Sequence, residues 1–177
     1  MKILGVGFNY RSHCTEASAI GLPEQAEAEA PLFFHKGDAL LKPHTPFFLP
    51  DMGSSIEYEA ELVLQICRVG KRIAERFAHR YYQRVTVGID FTARDLQRRA
   101  MAEGKPWLSA KVFDVSAVVG EWLDKTELGY PERPIPFSLK VDGRVVQAAD
   151  SSEMIHGFDR LIAEVSRFQT LRMGDLI

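Results

Sequence analysis

The clearest pattern in the chain is a run of glutamates that alternate with other residues and lead into an apolar segment, residues 57–66. The pattern is typical of a β-strand, in which residues two apart share a face. Glu57, Glu59 and Glu61 are therefore predicted to lie side by side where a strand enters the core. Like charges on one strand face repel, and buried carboxylates are costly without a positive partner. A bound divalent cation would remove the conflict, and an exposed acidic edge strand is the alternative interpretation.

Other apolar patterns predict strands at residues 2–7, 32–34 and 85–89 and helices at 72–82 and at 151–169, the last with an apolar stripe. Thr92 is predicted to cap a further helix that runs to about Met101. Residues 137–141 and 144–147 predict a hairpin, because the Asp142-Gly143 pair between them suits a two-residue turn. Strands and helices do not alternate regularly along the chain. This order favours a β-rich α+β fold with a largely antiparallel sheet.

Length and charge narrow the functional classes. The 177 residues suit one domain, predicted to span 1–177, and 22 basic against 24 acidic residues give a net charge of −2. This balance predicts no nucleic-acid partner and no membrane partner. The apolar start is too short for a signal peptide, and the two cysteines lack metal-type spacing, so we expect a cytoplasmic protein with reduced thiols.

A further carboxylate extends the candidate metal site. Asp90 follows the predicted strand 85–89, where it could join Glu59 and Glu61. Three carboxylates with water molecules form an all-oxygen set that suits Mg²⁺, Mn²⁺ or Ca²⁺ better than zinc. A plain helix cap is the alternative role for Asp90.

His13 and Glu16 lie three residues apart, so one helical turn would bring their side chains together. A carboxylate beside a histidine orients the ring and makes it a better base, which is the smallest unit able to activate a water molecule. A surface His–Glu pair is the alternative. Lys36 and Lys111 could neutralise an anionic substrate, or be ordinary surface lysines.

Arg94 and Gln97 lie three apart in the predicted helix after Asp90, on one face that could meet a ligand or only solvent. The sequence lacks a nucleotide-binding glycine fingerprint and a nucleophile elbow.

Several motifs in one order resemble the fumarylacetoacetate hydrolase family, with the short acylpyruvate and fumarylpyruvate hydrolases as the most similar type. They are residues 7–13 with Glu16, residues 31–36, residues 58–62, residues 90–97, residues 104–107 with 110–114, residues 154–155 and residues 170–175. The resemblance spans nearly the whole chain. It implies the family's mixed β-roll or sandwich with a few flanking helices, usually paired as a homodimer.

The resemblance also implies roles for individual residues. The metal ligands, for Mg²⁺ or Mn²⁺, would be Glu59, Glu61 and Asp90, with Glu57 outside the coordination shell. The catalytic residues would be His13, Glu16 and Lys111. The substrate-binding residues would be Lys36, Arg94 and Gln97.

The implied activity is metal-dependent cleavage of the C–C bond of acylpyruvates such as fumarylpyruvate or acetylpyruvate. One alternative uses the same metal site to decarboxylate or isomerise 2-oxo acids of aromatic catabolism, or to decarboxylate oxaloacetate. Another is an inactive, truncated metal-binding dimer module, since the family's Thr-Gly-Thr-Pro loop and closing strands would follow Asp175 and are absent from this sequence.

Overall fold

The protein is described here by a computed structural model, which defines residues 1–12 and 30–177. His13 and Glu16 lie outside these described residues. The strands are β1 (Leu4–Gly7), β2 (Leu32–His35), β3 (Ile56–Ile66), β4 (Tyr82–Ala93), β5 (Ala117–Val119), β6 (Leu123–Asp124), β7 (Pro136–Val141) and β8 (Arg144–Asp150). The helices are α1 (Glu75–Ala78), α2 (Arg94–Ala102), α3 (Leu108–Lys111) and α4 (Phe158–Phe168), with a 3-10 turn at Ser151–Glu153.

The longest two strands, β3 and β4, form the centre of an antiparallel sheet. β4 pairs with β3 along most of its length and also with the short strands β5 and β6. In this register Glu59 lies opposite Asp90 and Glu61 lies opposite Gly88. The predicted α+β class with a largely antiparallel sheet is therefore confirmed.

Two further antiparallel pairs lie outside this sheet. β1 pairs with β2, and β7 pairs with β8. Asp142 and Gly143 both have positive φ angles, 50° and 77°, at the turn between β7 and β8. Two successive positive φ angles are typical of a type I′ turn, which matches the twist of the strands, so the predicted hairpin is confirmed.

Helix α4 packs against the apolar half of β3 in the central sheet. The predicted apolar stripe is largely buried, with Phe158, Ile162 and Val165 each at most 2% exposed, and it packs in one cluster with Leu64 and Ile66 of β3. Burying such a stripe is the main source of stability for a helix of this length. No helix within the described ranges is long and apolar enough to cross a membrane.

The structure corrects the predicted extents of the helices. The helix predicted at 72–82 is only the single turn Glu75–Ala78, because Tyr82 already pairs with Ile66 and the Tyr81 carbonyl accepts a bond from the Cys67 amide. The helix predicted at 151–169 begins at Phe158, after a separate 3-10 turn. Sheet pairing outweighs helical periodicity in the first case.

Thr92 does not cap a helix, contrary to the sequence-based expectation. It is the penultimate residue of β4, which extends to Ala93, and it is fully buried. Helix α2 starts after Ala93 without a side-chain cap, and the Arg94 amide donates to the Ser55 carbonyl instead. A backbone carbonyl from a distant segment thus satisfies one of the donors that a cap would satisfy.

Asp175 joins the two ends of the described chain. Its carboxylate accepts bonds from the Lys2 amide at 2.8 Å, the Lys2 ammonium at 2.5 Å and the Arg172 amide at 2.8 Å. Burial opposes ionisation of Asp175, but these donors outweigh it and lower the pKa of its carboxyl below the usual value.

This depressed pKa gives a pH-dependent prediction. A carboxyl whose pKa is lower in the folded state stabilises the protein above its unfolded pKa of about 3.9 and stops doing so as pH falls through the folded value. Asp175→Asn is therefore expected to lose about 1–3 kcal/mol of unfolding free energy at pH 7. In urea denaturation the gap to wild type should narrow below about pH 4. Asp51→Asn, at an exposed aspartate, is the control, and a gap that stayed constant with pH would contradict the assignment.

Candidate metal centre

Three carboxylates converge where β3 and β4 run side by side. Glu59 and Glu61 are two apart on β3, so they share a face, and the register brings Asp90 of β4 opposite Glu59. One oxygen from each of Glu59, Glu61 and Asp90 lies within 4.8 Å of the other two. Alternation along β3 therefore brings Glu59 and Glu61 together, the register of β3 against β4 adds Asp90, and Asp90 is a strand residue instead of a helix cap.

Three buried cations surround this cluster. The Lys111 ammonium donates to Glu59 at 2.6 Å and to Asp90 at 2.8 Å, and Lys36 donates to Asp90 at 2.5 Å. Arg94 contacts Glu59 through one nitrogen and Glu57 through another, the latter at 2.8 Å. Lys36, Lys111 and Arg94 are each at most 4% exposed.

These surroundings shift the pKa values of the two lysines in opposite directions. Burial lowers the pKa of Lys36, and the charge of Lys111 lowers it further, against the opposing effect of Asp90. Burial would also lower the pKa of Lys111, but Glu59, Asp90 and Glu61 together raise it. Lys111 is therefore held as a positive charge, chiefly by its ion pairs with Glu59 and Asp90, which suits a group that faces developing negative charge.

Glu61 differs from the other carboxylates of the cluster. Among the described residues it forms no ion pair, whereas Glu59 and Asp90 each contact a lysine. Burial, followed by the charges of Asp90 and Glu59, raises the pKa of Glu61 to about 8. The free cluster therefore disfavours the ionised form of this side chain, and an added positive charge would relieve the repulsion.

These residues fit a divalent cation. The donors are all carboxylate oxygens, which is the chemistry that Mg²⁺ and Mn²⁺ prefer, and the ligand set is small enough to leave positions for water or substrate. Glu61, whose ionised form the free cluster disfavours, would gain a positive partner in the bound cation. On this basis Glu59, Glu61 and Asp90 would hold the metal.

A cavity of about 550 Å³ opens beside the cluster. Glu59, Glu61 and Lys111 line it, together with Arg94 and Gln97. Arg94 donates a hydrogen bond to the Gln97 side chain, and both of these α2 residues line the cavity. A small anionic molecule could therefore meet carboxylate oxygens and cationic donors in one place.

Aromatic residues form another wall of this cavity. The rings of Phe8 and Trp107 meet edge to face, with centroids 5.8 Å apart, and Phe34 packs on the same Trp107. All three of these residues line the cavity. They add an apolar surface next to the charged end.

Lys36 is buried beside the carboxylate cluster. It is 2% exposed, and its ammonium donates to Asp90 and to the Phe91 carbonyl and lies 5.7 Å from the centre of the Phe113 ring. Glu57 lies outside the three-carboxylate cluster and pairs with Arg94, as the resemblance implied.

One residue of the site was missed by the sequence analysis. The Thr92 hydroxyl accepts a hydrogen bond of 2.7 Å from Lys111. Thr92 is two residues after Asp90 on β4, so the two share a strand face. That spacing is the signal in the sequence that points to Thr92, whereas the residues that follow it predict a helix cap.

The fold and this cluster together define a class: strand-rich α+β proteins with a candidate metal centre made only of carboxylates. Comparison with known proteins identifies the family within this class. The family model for the C-terminal domain of fumarylacetoacetate (FAA) hydrolase matches residues 2–177. The chain therefore belongs to the fumarylacetoacetate hydrolase family, whose members are metal-dependent enzymes.

A solved relative is similar over nearly the whole chain. Fumarylpyruvate hydrolase from Pseudomonas aeruginosa, whose crystal structure holds Mn²⁺ and pyruvate, is 32% identical with a TM-score of 0.84. The match covers 99% of this chain and 75% of that one.

Two curated relatives have a different named activity. Oxaloacetate tautomerase YcgM of Escherichia coli is 31% identical, over 99% of this chain and 78% of its own length. The mitochondrial oxaloacetate tautomerase Fahd2a of Rattus norvegicus is also 31% identical, and the chain spans 54% of its length. The family thus includes more than one reaction of 2-oxo acids.

Proposed function

We propose that this protein is a metal-dependent hydrolase that cleaves the C–C bond of acylpyruvates, such as fumarylpyruvate or acetylpyruvate, to pyruvate and a carboxylic acid. The observation that supports the proposal is the cluster of Glu59, Glu61 and Asp90 with Lys111 at its centre, beside a cavity that Arg94 also lines. Similarity to a fumarylpyruvate hydrolase that binds Mn²⁺ and pyruvate supports the same reaction.

The metal and the cationic side chains would have different roles in binding the substrate. A bound Mg²⁺ or Mn²⁺ would act as a Lewis acid that stabilises negative charge on the 2-oxo acid. Arg94, which lines the cavity, and Lys36 would help neutralise the substrate, and Gln97 would orient it through Arg94. These are roles for binding and orientation before the chemical step.

His13 and Glu16 would start the chemical step. His13, oriented by Glu16, takes a proton from water, which adds to the distal carbonyl of the substrate. The bond between that carbon and the pyruvate methylene then breaks, so the acid forms and pyruvate leaves as an enolate. The Lys111 ammonium stabilises this enolate charge, and the proton that His13 took from water passes to the methylene carbon to complete pyruvate.

A second candidate is supported by the similarity to YcgM and Fahd2a, which are oxaloacetate tautomerases. Tautomerisation of oxaloacetate also passes through an enolate of a 2-oxo acid, so the same carboxylates and Lys111 would serve it. It breaks no C–C bond and consumes no water. The two candidates therefore differ in whether water must be activated.

Product analysis separates these candidates. The purified chain is incubated with acetylpyruvate, fumarylpyruvate and oxaloacetate, each with Mn²⁺ and then with a chelator. Equal amounts of pyruvate and acetate from acetylpyruvate, lost with chelator, are the expected result. Equilibration of enol and keto oxaloacetate without cleavage of either acylpyruvate would favour the tautomerase, and CO₂ release would favour a decarboxylase. No metal-dependent turnover at all would contradict the proposal.

The assembly and location of the protein also remain proposals. We propose a homodimer, as the family resemblance implies, and a cytoplasmic location, as the composition and the two cysteines without metal-type spacing suggest. Sedimentation of the purified chain tests the homodimer, and a monomer at micromolar concentration would contradict it.

A further inference from the structure

The side chain of Gln147 contacts β3 (the metal strand, which carries Glu59 and Glu61) through both the oxygen and the nitrogen of its amide. Its Oε1 accepts a hydrogen bond of 2.9 Å from the Ala60 amide, and its Nε2 donates one of 3.2 Å to the Tyr58 carbonyl. These two backbone groups belong to the peptide units on either side of Glu59. Gln147 therefore holds both peptide units that set the direction of the Glu59 side chain.

These bonds occupy the edge of β3 that faces away from β4. Farther along that edge, the Leu64 and Ile66 amides donate to the Ile177 and Asp175 carbonyls, each at 2.8 Å. Backbone partners thus complete that end of β3. At Glu59 the corresponding donor and acceptor are completed by one side chain, which fixes the strand there without a neighbouring strand.

A β-bulge accompanies this contact. In the β7–β8 pair, Leu139 lies opposite Gln147 and Lys140 lies opposite Val145, so Val146 is an extra residue on β8. Bulges bend a strand and change the direction of nearby side chains, and they are frequent next to active sites. The irregularity is adjacent to the one residue of β8 that bonds to the metal strand at Tyr58 and Ala60.

We propose that Gln147 is a positioning residue for the metal centre. It holds the backbone on both sides of Glu59, so that the Glu59 carboxylate stays directed at Glu61 and Asp90 although like charges repel. The inference rests on the metal site of the proposed function. The competing explanation is that Gln147 only attaches the β7–β8 hairpin to the sheet.

The test compares two glutamine-to-methionine variants. Gln147→Met keeps the length of the side chain and removes both hydrogen bonds. Gln83→Met is the matched control, because Gln83 bonds to Asp124 near the opposite end of β4, about 20 Å along the strand from Asp90. Mn²⁺ affinity is measured by calorimetry well below the melting temperature, and hydrogen exchange of the Ala60 amide is measured without metal.

The expected result is a loss of about tenfold in Mn²⁺ affinity for Gln147→Met and none for Gln83→Met. The Ala60 amide should exchange faster in the first variant alone. If Gln147→Met does not fold, Gln147→Asn, which keeps the amide but is one carbon too short, should show both effects.

Two results would overturn the inference: wild-type Mn²⁺ affinity in a folded Gln147 variant, or an Ala60 amide that stays protected in it. A lower melting temperature with unchanged affinity would identify Gln147 as a structural attachment only. A wild-type chain that binds Mn²⁺ but cleaves no acylpyruvate would count against the proposed hydrolase, while the comparison of affinities would still decide the role of Gln147.

Discussion

Replacing Glu61 by glutamine is expected to lower the affinity for Mn²⁺ by on the order of 100-fold or more and to abolish turnover, since changes outside the coordination shell already cost about 10–100-fold. The variant should nevertheless melt at or above the wild-type temperature without metal. Glu61 pairs with no cation among the described residues, and burial with neighbouring charge raises the pKa of its carboxyl to about 8. A neutral amide there removes repulsion and leaves no buried cation unpaired.

Calorimetric titration with Mn²⁺ and thermal melting in chelator measure these two effects. Glu57→Gln is the matched control, because Glu57 lies on the same strand but pairs with Arg94 outside the cluster. We expect it to keep Mn²⁺ affinity within about tenfold of wild type. Equal affinities for wild type and Glu61→Gln would remove Glu61 from the ligand set.

The second large effect is expected for His13→Ala, which should bind Mn²⁺ as wild type does and lose about 10²–10⁴ in the rate of acylpyruvate hydrolysis. The reason is that a general base acts on the proton of the attacking water and holds no metal. Initial rates of pyruvate release at saturating Mn²⁺ measure the loss. His79→Ala, at an exposed histidine, controls for nonspecific effects.

The same variant separates the two candidate reactions. A His13→Ala protein that still equilibrates oxaloacetate but no longer cleaves acetylpyruvate would assign water activation to His13. Undiminished hydrolysis would show that another group activates the water. Loss of Mn²⁺ binding together with activity would instead point to misfolding or to a ligand role.

Local patterns predicted much of the fold because they depend on neighbouring residues only. The Asp142-Gly143 turn and the apolar stripe of α4 were both readable from spacing. The helix predicted at 72–82 was wrong in extent, because pairing of Tyr82 with Ile66 competes with helix formation. The periodicity of apolar residues does not show which distant segment will form hydrogen bonds with the backbone.

The candidate site, too, depends partly on local pattern and partly on long-range contacts. Alternation on one strand determined that Glu59 and Glu61 share a face, because the side-chain period of a strand is two. Their meeting with Asp90, and the arrival of Lys111 between Glu59 and Asp90, depend on the register of β3 against β4 and on where α3 packs. The roles of His13 and Glu16 rest on the family resemblance and stay predictions.

The sequence by itself determined a strand of acidic residues that needs positive partners, a β-rich α+β class and the family. Only the tertiary structure decided which cations those partners are and how the strand edge is held. Gln147 contacts Ala60 and Tyr58 across 87 and 89 residues of sequence, and no local pattern marks such a contact. Its physical basis is the need to satisfy backbone donors and acceptors on a strand edge, which only the folded chain can meet.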